Sequence, residues 1–172
     1  THMVEREVHA LAASGAVAGL APTTEADLGD GTFPGVAYAG AGGLWGVGSD
    51  SNTIVDPFDE LRQLEYSQRL FWRRRNLMDH GHDASVGAAM WLAAARGGAQ
   101  ACGRRAGAIE AGASADLVVL NGEDPALTGH GGDTSLDAAI FGPCRMPVRH
   151  TMLAGRWVVR DGRHRDEVAV LE

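Results

Sequence analysis

Two cysteines in 172 residues, Cys102 and Cys144, are too few for a disulfide framework, and neither stands in a metal-type spacing. No apolar tract is long enough to cross a bilayer. Clustered cations are nearly absent. The 15 Lys and Arg against 22 Asp and Glu leave a net charge of −7, which argues against a nucleic-acid surface. The one cationic run, Arg73-Arg74-Arg75, falls at the end of a predicted helix, where it complements the negative end of the helix dipole. No leader of basic and apolar residues is visible, and there is no internal repeat. Together these absences predict a cytoplasmic chain with no nucleic-acid and no membrane partner.

Glycine is what the chain has in excess: 24 of 172 residues, about twice the usual frequency of roughly 7%. The glycines are spread without a period, as many short turns between elements require. The length suits one domain with a true core.

Residues 1–78 read as helix, strand, helix, strand, helix. The first helix puts Val4, Val8, Leu11 and Ala12 on one face and stops at Gly15. A strand over 16–20 closes at Pro22, and residues 23–31 read as a polar loop. Pro34 can start a short helix, and "LWGVGSD" gives a second apolar strand. The clearest helix starts at Asp56, its predicted cap, with Pro57 in the first position. Phe58, Leu61, Leu64 and Phe71 recur on its core face. Short apolar strands alternating with helices imply an α/β fold with parallel strands buried on both faces. An Ala-rich helix over 85–103 is expected to weaken or end near Gly97-Gly98. Beyond it the texture turns β-rich: 116–120, then 148–153 and 156–160 joined as a hairpin at Ala154-Gly155. A boundary is expected near 103–107, dividing the chain into 1–103 and 104–172.

Ligands of parallel α/β sheets gather beyond the C-terminal strand ends. Asp50 follows its strand immediately, between Ser49 and Ser51. A carboxylate there can bind a metal or exchange a proton with water, although an Asp in a Gly/Ser turn is by default a turn residue. Glu25 and Asp27 stand on the other strand-end loop, where solvent exposure is the plainer reading. His80 and His82 follow a helix end rather than a strand end, which weakens them as a metal pair; the other five histidines are scattered. Neither serine sits in a nucleophile elbow. A catalytic zinc needs about three protein ligands, and the sequence offers one credible candidate, Asp50.

Three stretches, in order, resemble the amidohydrolase superfamily: "GVGSDS", "GAIEAGASADLVVLN" and "MLAGRWVVRDGRH". Within it, "PTTEADLGDG", "GSDSN", "ELRQLEYSQRL" and "GGAQACG" are similar to the N-formimidoyl-L-glutamate deiminases of histidine degradation. The resemblance implies the C-terminal portion of a (β/α)8 TIM-type barrel over 1–103, starting in the tail of its sixth strand. Over 104–172 it implies the C-terminal part of a small accessory β-sandwich. It implies hydrolysis of a C=N bond of a small-molecule substrate, one divalent metal, usually zinc, and a homodimer in the full-length enzyme. Asp50 would be the eighth-strand metal ligand and proton acceptor, with Glu25, Ser49 and Ser51 lining the substrate pocket. The other implied ligands, the acid–base Glu and the carboxylate-binding arginines have no match here. A fragment of such an enzyme is therefore expected, marginal or self-associating alone, inactive, and poor at binding zinc. Two alternatives stand beside this reading: another deaminase or chlorohydrolase of the superfamily (guanine, cytosine or triazine type), and a non-catalytic truncated remnant.

Overall fold

The computed structural model describes residues 1–79, 85–144 and 146–171. Its first half alternates as anticipated. Helix α1 (Glu5–Ala13) ends against Gly15, whose φ of 74° lets the chain reverse into strand β1 (Val17–Leu20). Val8 and Ala12 of α1 are buried, whereas Val4 stands outside the helix as its N-cap and is exposed. Residues 1–4 precede α1 and belong to neither described sheet.

The stretch expected as a polar loop is mostly helical: α2 spans Pro22–Leu28. Pro22 occupies the first turn, where its missing N–H costs nothing. The Glu25 carboxylate accepts the Ala21 N–H at 3.0 Å, and Gly29 ends the helix in the left-handed region. Local capping thus outweighs a polar composition. Helix α3 (Gly35–Gly40) follows, then strand β2 (Leu44–Val47).

β1 and β2 lie parallel, Val17 beside Leu44 through Leu20 beside Val47. Buried Tyr38 of α3 sits beneath their starts, its hydroxyl 2.9 Å from the Leu44 carbonyl and 3.2 Å from that of Ala16. Burial raises the Tyr38 pKa, so the phenol stays protonated there.

Helix α4 (Pro57–Trp72) begins as the sequence indicates, with the Asp56 carboxylate accepting the Phe58 N–H at 2.8 Å. Phe58, Leu61 and Leu64 are buried; each such side chain stabilises the fold by about 1.5–3 kcal/mol. Phe71 departs from expectation at 66% exposure. Its angle keeps it on the apolar stripe, but it lies at the rim of the groove between α2 and α4, its ring edge-on to Trp72 at 5.2 Å. Arg73, with φ 54°, caps the helix, so the arginine run does mark a helix end.

Helix α5 (Val86–Ala101) runs straight through Gly97-Gly98, where weakening was expected. The reason is close packing on β2. A Cβ on Gly97 would lie 1.9 Å from the Trp45 carbonyl oxygen, and one on Gly46 would lie 3.0 Å from the Gly98 nitrogen. These glycines let a helix touch a strand, and the helix tolerates their weak propensity in return.

Strands β3 (Leu117–Leu120), β4 (Val148–Leu153), β5 (Arg156–Arg160) and β6 (Arg163–His164) form one antiparallel sheet in that order. Ala154 (φ 49°) and Gly155 (φ 78°) make the expected tight hairpin between β4 and β5. Between β3 and β4 comes α6 (Thr134–Phe141), a helix the pattern does not announce. It packs back on α4 and α5, burying Ala138, Ala139 and Ile140. The Arg62 Nε of α4 donates to the Ile140 carbonyl, and Asp137 accepts the Gly87 N–H at 2.7 Å. A short helix, α7 (Glu167–Leu171), ends the described chain. No described helix is long and apolar enough to cross a membrane.

Candidate functional site

The C-terminal ends of β1 and β2 lie side by side, and the Gly48 N–H continues their ladder by donating to the Leu20 carbonyl at 2.9 Å. Two segments are therefore held together at one end of the sheet: α2, which continues from β1, and the turn 49–52, which continues from β2.

That turn closes when the Asn52 N–H donates to the Ser49 carbonyl at 2.9 Å. Asp50 inside it has φ 51°, a left-handed conformation that Asp tolerates better than most residues. Its carboxylate is exposed and meets no hydrogen-bonding or ionic partner among the described residues. What the fold fixes for this group is thus the place and direction of its Cα–Cβ bond, set by the backbone of the turn.

Two contacts tie the turn to α2. The Thr24 hydroxyl donates to the Ser49 carbonyl at 2.7 Å, and the Asn52 side-chain amide donates to Asp27 at 2.8 Å. Asn52 also accepts the Ile54 N–H at 2.9 Å, which fixes the exit toward α4. α2 is in turn anchored to α4. Glu60, only 1% exposed, accepts both the Thr23 N–H at 3.0 Å and the Thr23 hydroxyl at 2.5 Å.

The four candidate residues divide in this geometry. Ser49, Asp50 and Ser51 share the turn, with Ser49 half-buried and Ser51 exposed. Glu25 sits apart: its carboxylate is used within its own helix, and it borders a groove of about 390 Å³ between α2 and α4. Phe33, Leu64, Leu70 and Phe71 also line that groove, whereas Ser49, Asp50 and Ser51 do not.

Thr24, Asn52 and Glu60 carry the architecture of the turn, a role that the linear pattern does not assign to them. A signal for Glu60 was present: it precedes Leu64 by four residues, so it shares the buried stripe, and a carboxylate there must find donors. Glu65, four after Leu61, obeys the same rule and is fully buried, accepting from Arg69 Nε and from the N–H groups of Leu77 and Met78.

A hard oxygen donor, exposed and unpartnered, is chemically suited to a divalent cation. Among the described residues no three His, Cys, Asp or Glu side chains come together to hold one. Asp50 thus offers one donor for such an ion, and no more, among the described residues. His80 and His82 lie outside the described residues.

The model of the amidohydrolase family matches residues 1–159. The chain belongs to the amidohydrolase family. It is 48% identical over 167 residues to a formimidoylglutamate deiminase of Pseudomonas aeruginosa, a match covering 97% of this chain and 37% of that protein. A crystal structure of an amidohydrolase from Brucella melitensis superposes with a TM-score of 0.90 at 44% identity, covering 99% of this chain and 37% of its own. An adenosine deaminase from Xanthomonas campestris, solved with bound zinc, superposes at TM-score 0.84 and 26% identity, over 99% of this chain and 38% of its own. The chain thus spans little more than a third of the length of these relatives.

Proposed function

We propose that this chain forms part of a metal-dependent deiminase that hydrolyses N-formimidoyl-L-glutamate to N-formyl-L-glutamate and ammonia. The observation that carries the reading is the 48% identity to a formimidoylglutamate deiminase across nearly the whole chain. In the proposed enzyme, residues 1–103 belong to the C-terminal portion of a (β/α)8 barrel, and residues 104–172 to part of an accessory β-sandwich. The parallel β1–β2 pair with its helices, and the antiparallel sheet after it, support that division.

Asp50 is proposed as one metal ligand and as the proton acceptor. A bound divalent metal, zinc in this reading, supplies Lewis-acid activation of water. Asp50 at the strand end orients that water and accepts its proton on a carboxylate oxygen as the water adds to the formimidoyl carbon. Addition makes the formimidoyl carbon tetrahedral, and its terminal nitrogen then takes up the proton held by Asp50 and the proton of the new hydroxyl. The C–N bond to that nitrogen breaks as the formyl C=O forms, and it leaves as ammonia while the glutamate nitrogen stays bound. Ser49 and Ser51, on either side of Asp50 in the turn, are proposed to line the approach to it; Glu25, held within α2 and facing the separate groove toward α4, is not part of that approach.

The test uses the full-length deiminase carrying this segment. Wild type is expected to release ammonia from N-formimidoyl-L-glutamate in preference to guanine, cytosine and triazine substrates. Asp50→Asn is expected to abolish turnover and weaken zinc binding. Turnover near the wild-type rate in Asp50→Asn would remove the assignment, and preference for a ring substrate would remove the deiminase reading.

A further inference from the structure

We propose that Thr24 is a positioning residue for Asp50, holding the ligand turn through its hydroxyl while Glu60 locks Thr24's own helix to α4. The inference rests on the reading of Asp50 as a metal ligand and adds to it the residues that hold its turn in place.

Asp50 has no described side-chain partner, so the position from which its carboxylate can reach a metal is set by the turn 49–52. The Ser49 carbonyl, one peptide before Asp50, is the fixed point of that turn, accepting from the Asn52 N–H and the Thr24 hydroxyl. The first bond is internal and travels with the turn. The second comes from another element, and Thr24 is 4% exposed, so its hydroxyl has little freedom to seek water instead. The Asn52–Asp27 bond is the only other side-chain tie between α2 and the turn among the described residues, and it lies on the exposed side.

α2 is seven residues long and could not hold a position alone. The buried Glu60 supplies that hold, taking both donors of Thr23, the neighbour of Thr24. A continuous path of hydrogen bonds and peptide units therefore leads from α4 through Thr23, Thr24 and Ser49 to Asp50. Groups of this kind behind a metal ligand typically matter by 10–100-fold in metal affinity.

The experiment uses the full-length deiminase carrying this segment, loaded with zinc and titrated with a competing chelator. Thr24→Val, close in shape but without the hydroxyl, is expected to weaken zinc binding by about 10–100-fold. It should lower kcat by more than it raises KM, because the group displaced with the turn that matters to the reacting atoms is Asp50. Amide hydrogen exchange at Asn52 should quicken in the same variant, a readout independent of turnover. Thr24→Ser keeps the hydroxyl and should restore all three. Unchanged zinc affinity in Thr24→Val, or no recovery in Thr24→Ser, overturns the positioning role. Asp50→Asn separates the two layers. If it retains zinc affinity, the ligand reading falls and the positioning role with it; if it loses zinc while Thr24→Val does not, only the positioning role falls.

Discussion

Gly97 of α5 approaches Trp45 of β2 so closely that a Cβ at position 97 would lie 1.9 Å from the Trp45 carbonyl oxygen. Neither partner can yield, since one is helix and the other strand backbone. Gly97→Ala should therefore lift α5 from the sheet and cost at least about 1–3 kcal/mol in denaturant unfolding. Gly98→Ala is the control. A Cβ there meets nothing within 4 Å, so the better helix propensity of alanine should stabilise by up to about 1 kcal/mol. Equal effects of the two changes would contradict the packing account.

Glu60, itself buried, satisfies two donors of the half-buried Thr23. Glu60→Leu removes the acceptor of both donors and should destabilise by about 1–3 kcal/mol, water reaching the half-buried Thr23 in part. Glu60→Gln keeps one strong acceptor and should lose about 1 kcal/mol. Comparable unfolding midpoints for wild type and Glu60→Leu would show that the carboxylate anchors nothing.

Asp116 predicts an acid-sensitive hairpin. Its carboxylate accepts the Ala154 N–H at 2.7 Å in the β4–β5 turn, then the Ser114 hydroxyl and Arg104, in that order of influence, and these contacts lower its pKa. The folded state thus favours the ionised form. That stabilisation is present above the ordinary carboxylate pKa of about 3.9 and is lost as pH falls through the lower folded value. Unfolding midpoints measured from about pH 6 down to about pH 2.5 should fall less steeply in Asp116→Asn than in wild type. Parallel curves would count against the assignment.

The two cysteines should differ in reactivity. Burial, and then the hydrogen bond from its thiol to Asp124 at 3.1 Å, push the Cys144 pKa up to about 11. At pH 8 that leaves on the order of 10²-fold less thiolate than an ordinary thiol with pKa about 8.5. Cys102 is exposed. Iodoacetamide followed by peptide mass mapping should label Cys102 first and Cys144 only on unfolding; equal labelling would refute this.

Much of the fold is legible because it is written locally. Asp56-Pro57 sets the start of α4, Gly15 ends α1, and Ala154-Gly155 turns the hairpin. What escapes a linear reading depends on partners distant in the chain. Gly97 looks like a helix breaker until Trp45 lies beneath it. Phe71 has the right angle for the core yet lies exposed at the rim of the α2–α4 groove, and α6 is stabilised by α4 and α5 rather than by its own short sequence. The site divides the same way. A carboxylate after a strand marks Asp50 as a candidate, but nothing local says that Thr24, twenty-five residues before Ser49, holds its turn.

The return of α6 has a consequence in time. Arg62 and the apolar faces of α4 and α5 are finished only when Ile140 and its neighbours arrive. Between the end of α5 and the end of α6 lie the forty residues 102–141. Synthesis at about 5–20 residues per second imposes roughly 2–8 s between the two events. For that interval the nascent chain carries an open apolar slot shaped for its own unmade helix, a window in which a chaperone or a second nascent chain competes with the native partner.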